Sequence, residues 1–282
     1  MIEPPASFRL RHHRAIWAAL WPVRWYFTHF PIHRGKGLLY RGIILPALPP
    51  RPASFAYDLG GATVRLFYRE DLGTKVLFDG KYEDREIAAL CALVVLGTTV
   101  LDVGANIGLS ALELARAVGP KGEVIAFEPH PDTAARLDAN LDANNAENVG
   151  IVYSAVGAAP GTVTFHESAQ PTLSSASIIP PDLVRSFEVP ITTLDAVWHE
   201  AGEPRVSALK IDVEGGELAV LQGAARMIAS EHPAILLEAW SSEQRDPIDT
   251  LLEAAGYQRH QPEGFEPRNY LYLADQGRGG SA

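Results

Sequence analysis

The 282-residue sequence predicts an α/β fold, a twisted and mostly parallel sheet with helices on both faces, preceded by an N-terminal helical extension and a β-hairpin. Three observations predict it. Short apolar runs at 99–103, 124–127, 208–212 and 234–238 alternate with segments of helical spacing from residue 82 onward. Glycine-rich or carboxylate-bearing turns follow these runs, at 104–108, Glu128, 212–217 and Glu238. The hydrophobic fraction, 47%, is that of a soluble globular chain long enough to bury a full core.

The elements follow in order. Residues 1–52 are basic, aromatic and rich in proline, and form the extension. Residues 53–275 form the main domain, and the Gly-rich tail 276–282 is expected to be disordered. At its start, 63–68 and 75–78 alternate like paired strands, with Gly73 in the turn between them. A helix over 82–96 leads into strand 99–103. The helix that begins at Leu109 is stopped by Gly119-Pro120-Lys121-Gly122. Strand 124–127, helix 132–141 and strand 149–154 come next. A hairpin arm at 162–166 precedes a Ser/Pro-rich loop, 167–181. Then follow helix 193–201, strand 208–212, helix 216–229, strand 234–238, helix 248–255 and, beyond 257–260, a last strand at 270–274.

Charge and cysteine content narrow the function classes. Eight basic residues against Glu3 and Asp58 give +6 over residues 1–60, which leaves −16 for the remainder. An acidic body repels phosphates, so nucleic acid is not an expected partner. Cys91 is the only cysteine, which excludes an intramolecular disulfide and a cysteine-based zinc site and fits a cytoplasmic location. The apolar stretch 15–30 is broken by Pro22, Arg24 and His29, too short and too interrupted to span a bilayer.

In an open parallel sheet, ligands sit outside the carboxyl ends of the strands. The first strand ends in Asp102-Val103-Gly104-Ala105-Asn106-Ile107-Gly108. This is G-x-x-x-G; Asn106 and Leu109 stand where a dinucleotide fingerprint has its second and third glycines. Glu128, 20 residues beyond Gly108, ends the second strand, where a carboxylate accepts hydrogen bonds from ribose hydroxyls. The competing reading makes Glu128 a cap for the following helix. Asp212 and Glu214 place paired carboxylates at the mouth of the sheet, suited to deprotonating a hydroxyl or holding a metal. No cluster with ligand spacing accompanies them, so no metal is expected. Glu217 reads as an acid favoured by a helix N-terminus. Glu238 is a further rim carboxylate. His130 and His166 read more as structural than as reactive groups.

These residues resemble the FkbM-type family of S-adenosylmethionine (SAM)-dependent methyltransferases. The resemblance rests on Gly80-Lys81-Tyr82-Glu83, the 101–108 turn, Phe127-Glu128-Pro129, Ala155-Val156-Gly157, Thr193-Leu194-Asp195, Lys210-Ile211-Asp212-Val213-Glu214-Gly215 and Leu221-Gln222-Gly223-Ala224. It covers about residues 55–275. It implies a class I methyltransferase (Rossmann-like) sheet of seven strands with the last one antiparallel, SAM as cofactor, and most often a hydroxyl acceptor. It implies that Asp102, Gly104, Ala105, Asn106 and Gly108 form the first SAM-binding motif. Glu128 with Pro129 takes the ribose side, Ala155 and Val156 end the third strand near the adenine, and Asp212 and Glu214 line the reaction side.

The resulting expectation is methyl transfer from SAM to a hydroxyl of a sugar, glycolipid or natural product. Two other readings compete: a non-catalytic SAM-fold binding module, against which the intact Asp102, Gly104, Gly108 and Glu128 argue, and a nicotinamide-dependent oxidoreductase, against which the missing middle glycine argues. The acceptor is a small molecule or is carried on a glycan or lipid. Residues 1–36 carry Trp17, Trp21, Arg11, Arg14 and Arg24 and have two readings, an aromatic face packed on the catalytic domain or a peripheral contact with an anionic membrane surface.

Overall fold

The computed structural model describes residues 22, 25, 46, 48, 53–68, 70–79, 82–168 and 183–275. The helical extension expected over 1–52 lies almost wholly outside the described residues, as does the tail 276–282. Among the described residues, no helix is long and apolar enough to cross a membrane. The described residues fall into two compact units, one up to Tyr82 and one from Glu83 onward.

In the first unit, β1 (Ser54–Asp58) and β2 (Thr63–Phe67) form an antiparallel hairpin. Asp58 Oδ1 closes its turn by accepting the N–H of Gly60 at 2.8 Å. Phe55, Tyr57, Val64 and Leu66 alternate inward and are buried. The second strand expected at 75–78 is instead part of helix α1 (Asp71–Asp79). Four residues of alternation are too few to distinguish the two periods. Gly73 sits inside the helix and not in a turn between strands. A Cβ there would stand 2.0 Å from the carbonyl oxygen of Phe67, so glycine lets the helix fold back against β2.

The second unit carries a seven-stranded sheet. Its strands are β3 (Thr99–Val103), β4 (Glu123–Phe127), β5 (Val149–Val152), β9 (Val206–Ile211), β10 (Ala234–Glu238), β11 (Tyr257–His260) and β12 (Asn269–Ala274), in the order β11-β12-β10-β9-β3-β4-β5. β12 alone runs against the direction of the other six strands. This is the class I methyltransferase sheet. Alternate residues divide the core into two layers. Leu101, Val103, Leu209 and Ile211 pack on one face with α5 (Leu194–Glu200), α6 (Glu217–Gln222), α7 (Ala225–Glu231) and α8 (Ser242–Ala254). Val100, Ala208 and Leu236 pack on the other with α2 (Asp84–Cys91) and α3 (Leu109–Val118). Helix α4 (Pro131–Ala143) follows β4.

Several expected boundaries move. The helix expected over 82–96 shortens to α2. The helix expected over 216–229 divides at Gly223-Ala224 into α6 and α7. Helix α8 starts earlier than Ile248, because Ser241 Oγ accepts the N–H of Gln244 and the helix runs through Pro247. The stretch 167–181 was expected to be a loop. In the structure, β7 (Gly161–Ser168) continues into it and pairs with an unforeseen strand, β8 (Leu183–Thr192). Most of β8 is exposed and it contains Pro190, so it lacks the apolar alternation of a half-buried strand. Val163 pairs with Val189 and Phe165 with Phe187. Ala155 and Val156 do not end the third strand. They form a separate short strand, β6, parallel to the end of β8, giving a second sheet of order β6-β8-β7.

Gly157 and Gly223 explain two of the glycines in the sequence blocks. A Cβ on Gly223 would stand 2.1 Å from the Gly157 carbonyl oxygen and 3.2 Å from Thr193 Cβ. The Gly223 carbonyl in turn accepts the N–H of Asp195 at 2.8 Å, which seats α5. Gly223→Ala is expected to destabilise the protein by about 2–3 kcal/mol through overpacking against backbone, read as a lower urea midpoint at unchanged slope. A neutral result would show that the α6–α7 joint yields.

Candidate active site

The strand order reverses between β3 and β9, and the crevice beyond their carboxyl ends is where an open α/β sheet takes its ligand. The chain enters it through Gly104. That residue has φ +82°, and a Cβ on it would lie 1.9 Å from the Asp212 carbonyl oxygen, so the turn after β3 touches the turn after β9. The Gly104 and Ala105 N–H groups both donate to the Phe127 carbonyl at 3.0 Å, which ties the turn to β4 as well. Asn106 is exposed with φ +50°. Gly108, at φ +94°, caps α3. Buried Asn140 of α4 supports the turn by donating to the Ile107 carbonyl at 2.8 Å.

Glu128 sits beside this turn and is only 7% exposed. Its Oε2 accepts the N–H of Asn106 at 3.0 Å, and its Oε1 accepts the N–H of His130 at 2.9 Å. Burial pushes its pKa up to about 7, against the pull of these two backbone hydrogen bonds. The cap of α4 is His130, whose ring accepts the N–H of Thr133. Glu128 therefore does not cap the helix. It joins the end of β4 to the glycine turn and leaves one lone pair on each oxygen. Pro129 follows it and is half-buried.

Asp102 and Lys210 are direct cross-strand partners on β3 and β9. Both are buried, Asp102 at 0% and Lys210 at 4% exposure. Lys210 Nζ lies 3.8 Å from Asp102 Oδ1 and 3.3 Å from Asp212 Oδ2. Ser110, in the first turn of α3, donates to Asp102 Oδ2 at 2.6 Å. Burial works against the Lys210 charge, but Asp212, Asp102 and Glu83 outweigh it and hold its pKa above the ordinary lysine value. Burial dominates at Asp102 and raises its pKa in spite of Lys210 and Ser110. The block containing Lys210 was legible in sequence, but its role was not assigned. The signal is a lone charged residue in a strand whose other members, apart from Ser207, are apolar.

Asp212 and Glu214 stand together at the mouth, and Glu214 is exposed with φ +55°. Buried Glu217 holds that turn from behind by accepting the N–H groups of Gly215 at 3.0 Å and Val213 at 3.4 Å. It is thus a brace for the turn more than an acid attracted to a helix end. Burial, then Asp212 and Glu217, raise the Glu214 pKa to about 6. Burial, then Asp212, Glu214 and Glu83, raise that of Glu238 to about 7. Glu83 and Glu238 complete the acidic rim. Among the described residues, no group of three His, Cys, Asp or Glu side chains is placed to hold a metal ion.

The structure thus gathers Asp102, Gly104, Ala105, Asn106, Gly108, Glu128, Asp212 and Glu214 around one crevice. Ala155 and Val156 lie in β6, with Val156 packed into the core. His166 is on the arm, paired with Ser186 at 2.9 Å. His130 stacks edge-on to Phe187, with Nε2 3.6 Å from Glu167.

The sheet order with one reversed strand, the glycine turn after β3 and the carboxylate after β4 define a class I methyltransferase layout. Comparison with known proteins agrees. The methyltransferase FkbM domain model matches residues 102–259, more than half of the chain. Methyltransferase sdnD of Sordaria araneosa is 29% identical over 194 residues, 56% of this chain and 73% of its own length. The hexuronic acid methyltransferase AglP of Haloferax volcanii is 30% identical over 153 residues, 54% of this chain and 61% of its own. The solved FkbM methyltransferase of Methylobacillus flagellatus gives a TM-score of 0.44 at 21% identity, over 72% of this chain and 55% of that one. The chain belongs to the FkbM methyltransferase family, and methyl transfer is the activity that membership carries.

Removing the lysine isolates a fully buried carboxylate. Lys210→Met is expected to cost about 3 kcal/mol in chemical denaturation. Adding Asp102→Asn to it should recover more than half of that loss, because the buried charge goes with it. Equal destabilisation in the single and double variants would show that the pair is not coupled.

Proposed function

We propose that the protein transfers a methyl group from SAM to a hydroxyl of a sugar, glycolipid or natural product. The observation that carries this reading is Glu128, a nearly buried carboxylate held against the glycine turn with one lone pair free on each oxygen. A pair of ribose hydroxyls satisfies both, whereas a phosphate would be repelled. The fit extends to the turn, where the missing second glycine leaves no cradle of the kind a pyrophosphate takes. SAM supplies a methyl group already activated by its sulfonium. A sugar-type acceptor is supported by the relative from Haloferax volcanii, whose name gives a hexuronic acid as its substrate class.

In this reading Asn106 and the backbone of 104–108 shape the turn around the donor, with Asp102 fixing the base of the turn through Ser110. Ala155 and Val156 follow β5 on the adenine side, and Pro129 closes the ribose side. Glu214, with its pKa raised to about 6, takes the proton from the acceptor hydroxyl. Asp212, anchored at 3.3 Å to Lys210, orients that hydroxyl. Alignment of donor and acceptor supplies much of the barrier reduction.

Two pH dependences separate binding from turnover. The donor binds the ionised form of Glu128, so SAM affinity should fall as the pH drops through about 7, by up to about tenfold per unit. Glu128→Gln should bind SAM about tenfold more weakly at pH 8 and lose that dependence; calorimetry reads both. Unchanged affinity in this variant would reduce Glu128 to a structural brace.

Turnover at saturating SAM should instead rise with pH through about 6, as Glu214 ionises. Glu214→Gln should lower kcat by about 100-fold, and Asp212→Asn should lower kcat far more than SAM affinity. Release of S-adenosylhomocysteine measures the rate, and full turnover in both variants would remove these carboxylates from the mechanism.

A further inference from the structure

Beyond the reaction carboxylates, the rim of the crevice carries a group that methyl transfer itself does not require. Trp240 follows β10 by two residues and is 48% exposed, although the neighbouring Ala239 is buried. Tryptophan is highly buried on average, so a half-open indole next to a buried residue stands out. The Arg268 guanidinium lies over its ring at 3.8 Å from the centroid. The backbone locks this pair in place, because the Ala239 N–H donates to the Arg268 carbonyl at 2.8 Å and Glu238 pairs with Asn269 in the ladder. The Trp240 N–H donates to Gln244 Oε1 at 2.8 Å at the start of α8.

Trp240 also stands near the carboxylates. Glu238, two residues before it at the end of β10, is close enough to Asp212 and Glu214 to feel both charges. Arg268 in turn acts electrostatically on Glu214. An exposed indole therefore stands at the strand end that carries half-buried Glu238 and near exposed Glu214, and a guanidinium holds the ring. This is the chemistry that recognises a sugar ring. The apolar C–H face of a pyranose lies on the indole, and its equatorial hydroxyls donate to carboxylate oxygens. A flat apolar acceptor would leave those carboxylates desolvated and unsatisfied.

We infer that Trp240, with Glu238 and Arg268, forms the acceptor subsite and that it takes a hexopyranose ring, presenting one ring hydroxyl to Glu214. The inference rests on the proposed methyl transfer from SAM, because it assigns the acceptor side of the same crevice. Arg268 gives the subsite its cationic member, so a ring bearing a carboxylate is accommodated at that edge.

The test is saturation-transfer NMR on the full-length protein loaded with S-adenosylhomocysteine. The probes are methyl β-D-glucopyranoside and methyl β-D-glucopyranosiduronate, with cyclohexanol as the apolar control. The inference predicts saturation of ring C–H protons for at least one glycoside and none above background for cyclohexanol. Trp240→Ala should weaken that glycoside's affinity by about tenfold. Trp240→Phe should retain most of it, because the ring face survives. Nucleoside affinity by calorimetry should be unchanged in both variants, which separates a lost subsite from a lost fold. No saturation of either glycoside, or equal affinity in wild type and Trp240→Ala, overturns the inference while tight nucleoside binding leaves the SAM reading standing. Failure of the wild-type protein to bind the nucleoside overturns the SAM reading first.

Discussion

Lys210 carries its charge into a strand in which every residue is buried, and the crevice is assembled around the two carboxylates that accompany it. A lone ammonium at that depth would cost several kcal/mol, and so would a lone Asp102. Paired across β3 and β9, they also fix where the two strand ends meet. Asp102 holds Ser110 and so the start of α3, while Asp212 turns its carbonyl against Gly104. The register of two parallel strands, the glycine turn and the placement of the reaction carboxylates thus follow from one buried charge pair at the reversal of strand order. The net stability of such a triad is modest; its effect is to leave the strand ends one arrangement.

Around that pair, each carboxylate has a different environment and hence a different task. Asp212 shares a cation. Glu217 is turned inward and spends its oxygens on the backbone of its own loop. Glu128 is held by two amides and remains able to accept more. Glu214 and Glu238 face the opening, where burial and neighbouring carboxylates, Asp212 foremost, raise their pKa values toward neutrality. Groups of identical chemistry are sorted into structural, binding and proton-accepting roles by desolvation and neighbours alone.

Much of this was legible in the amino-acid order. Strands β3, β4, β9 and β10 are buried on both faces, so they read as continuous apolar runs ending at the turns that form the crevice. The positions of Gly104, Gly108, Glu128, Asp212 and Glu214 followed from those ends. What local pattern could not supply was anything decided at a distance. Residues 75–78 alternate as a strand would, yet α1 forms because Gly73 permits close contact with β2. Strand β8 is specified by its partner β7 and shows little apolar alternation of its own. Ala155 and Val156 join β8 and not β5, a choice made by residues more than thirty positions away. Lys210 was visible as an anomaly, but its partners come from another strand. Glu217 reads as a helix-terminal acid from its position alone, whereas its hydrogen bonds run backward into the preceding turn.

In the proposed reading, one crevice at the reversal of strand order between β3 and β9 binds the nucleoside of the methyl donor. Hydrogen–deuterium exchange with and without S-adenosylhomocysteine tests it most directly. Slowed exchange is expected to concentrate in 104–110, 127–131 and 212–216, where the turn, Glu128 and the carboxylate loop meet. Absence of any slowing at saturating nucleoside, or slowing confined to segments away from these three strand ends, would contradict it.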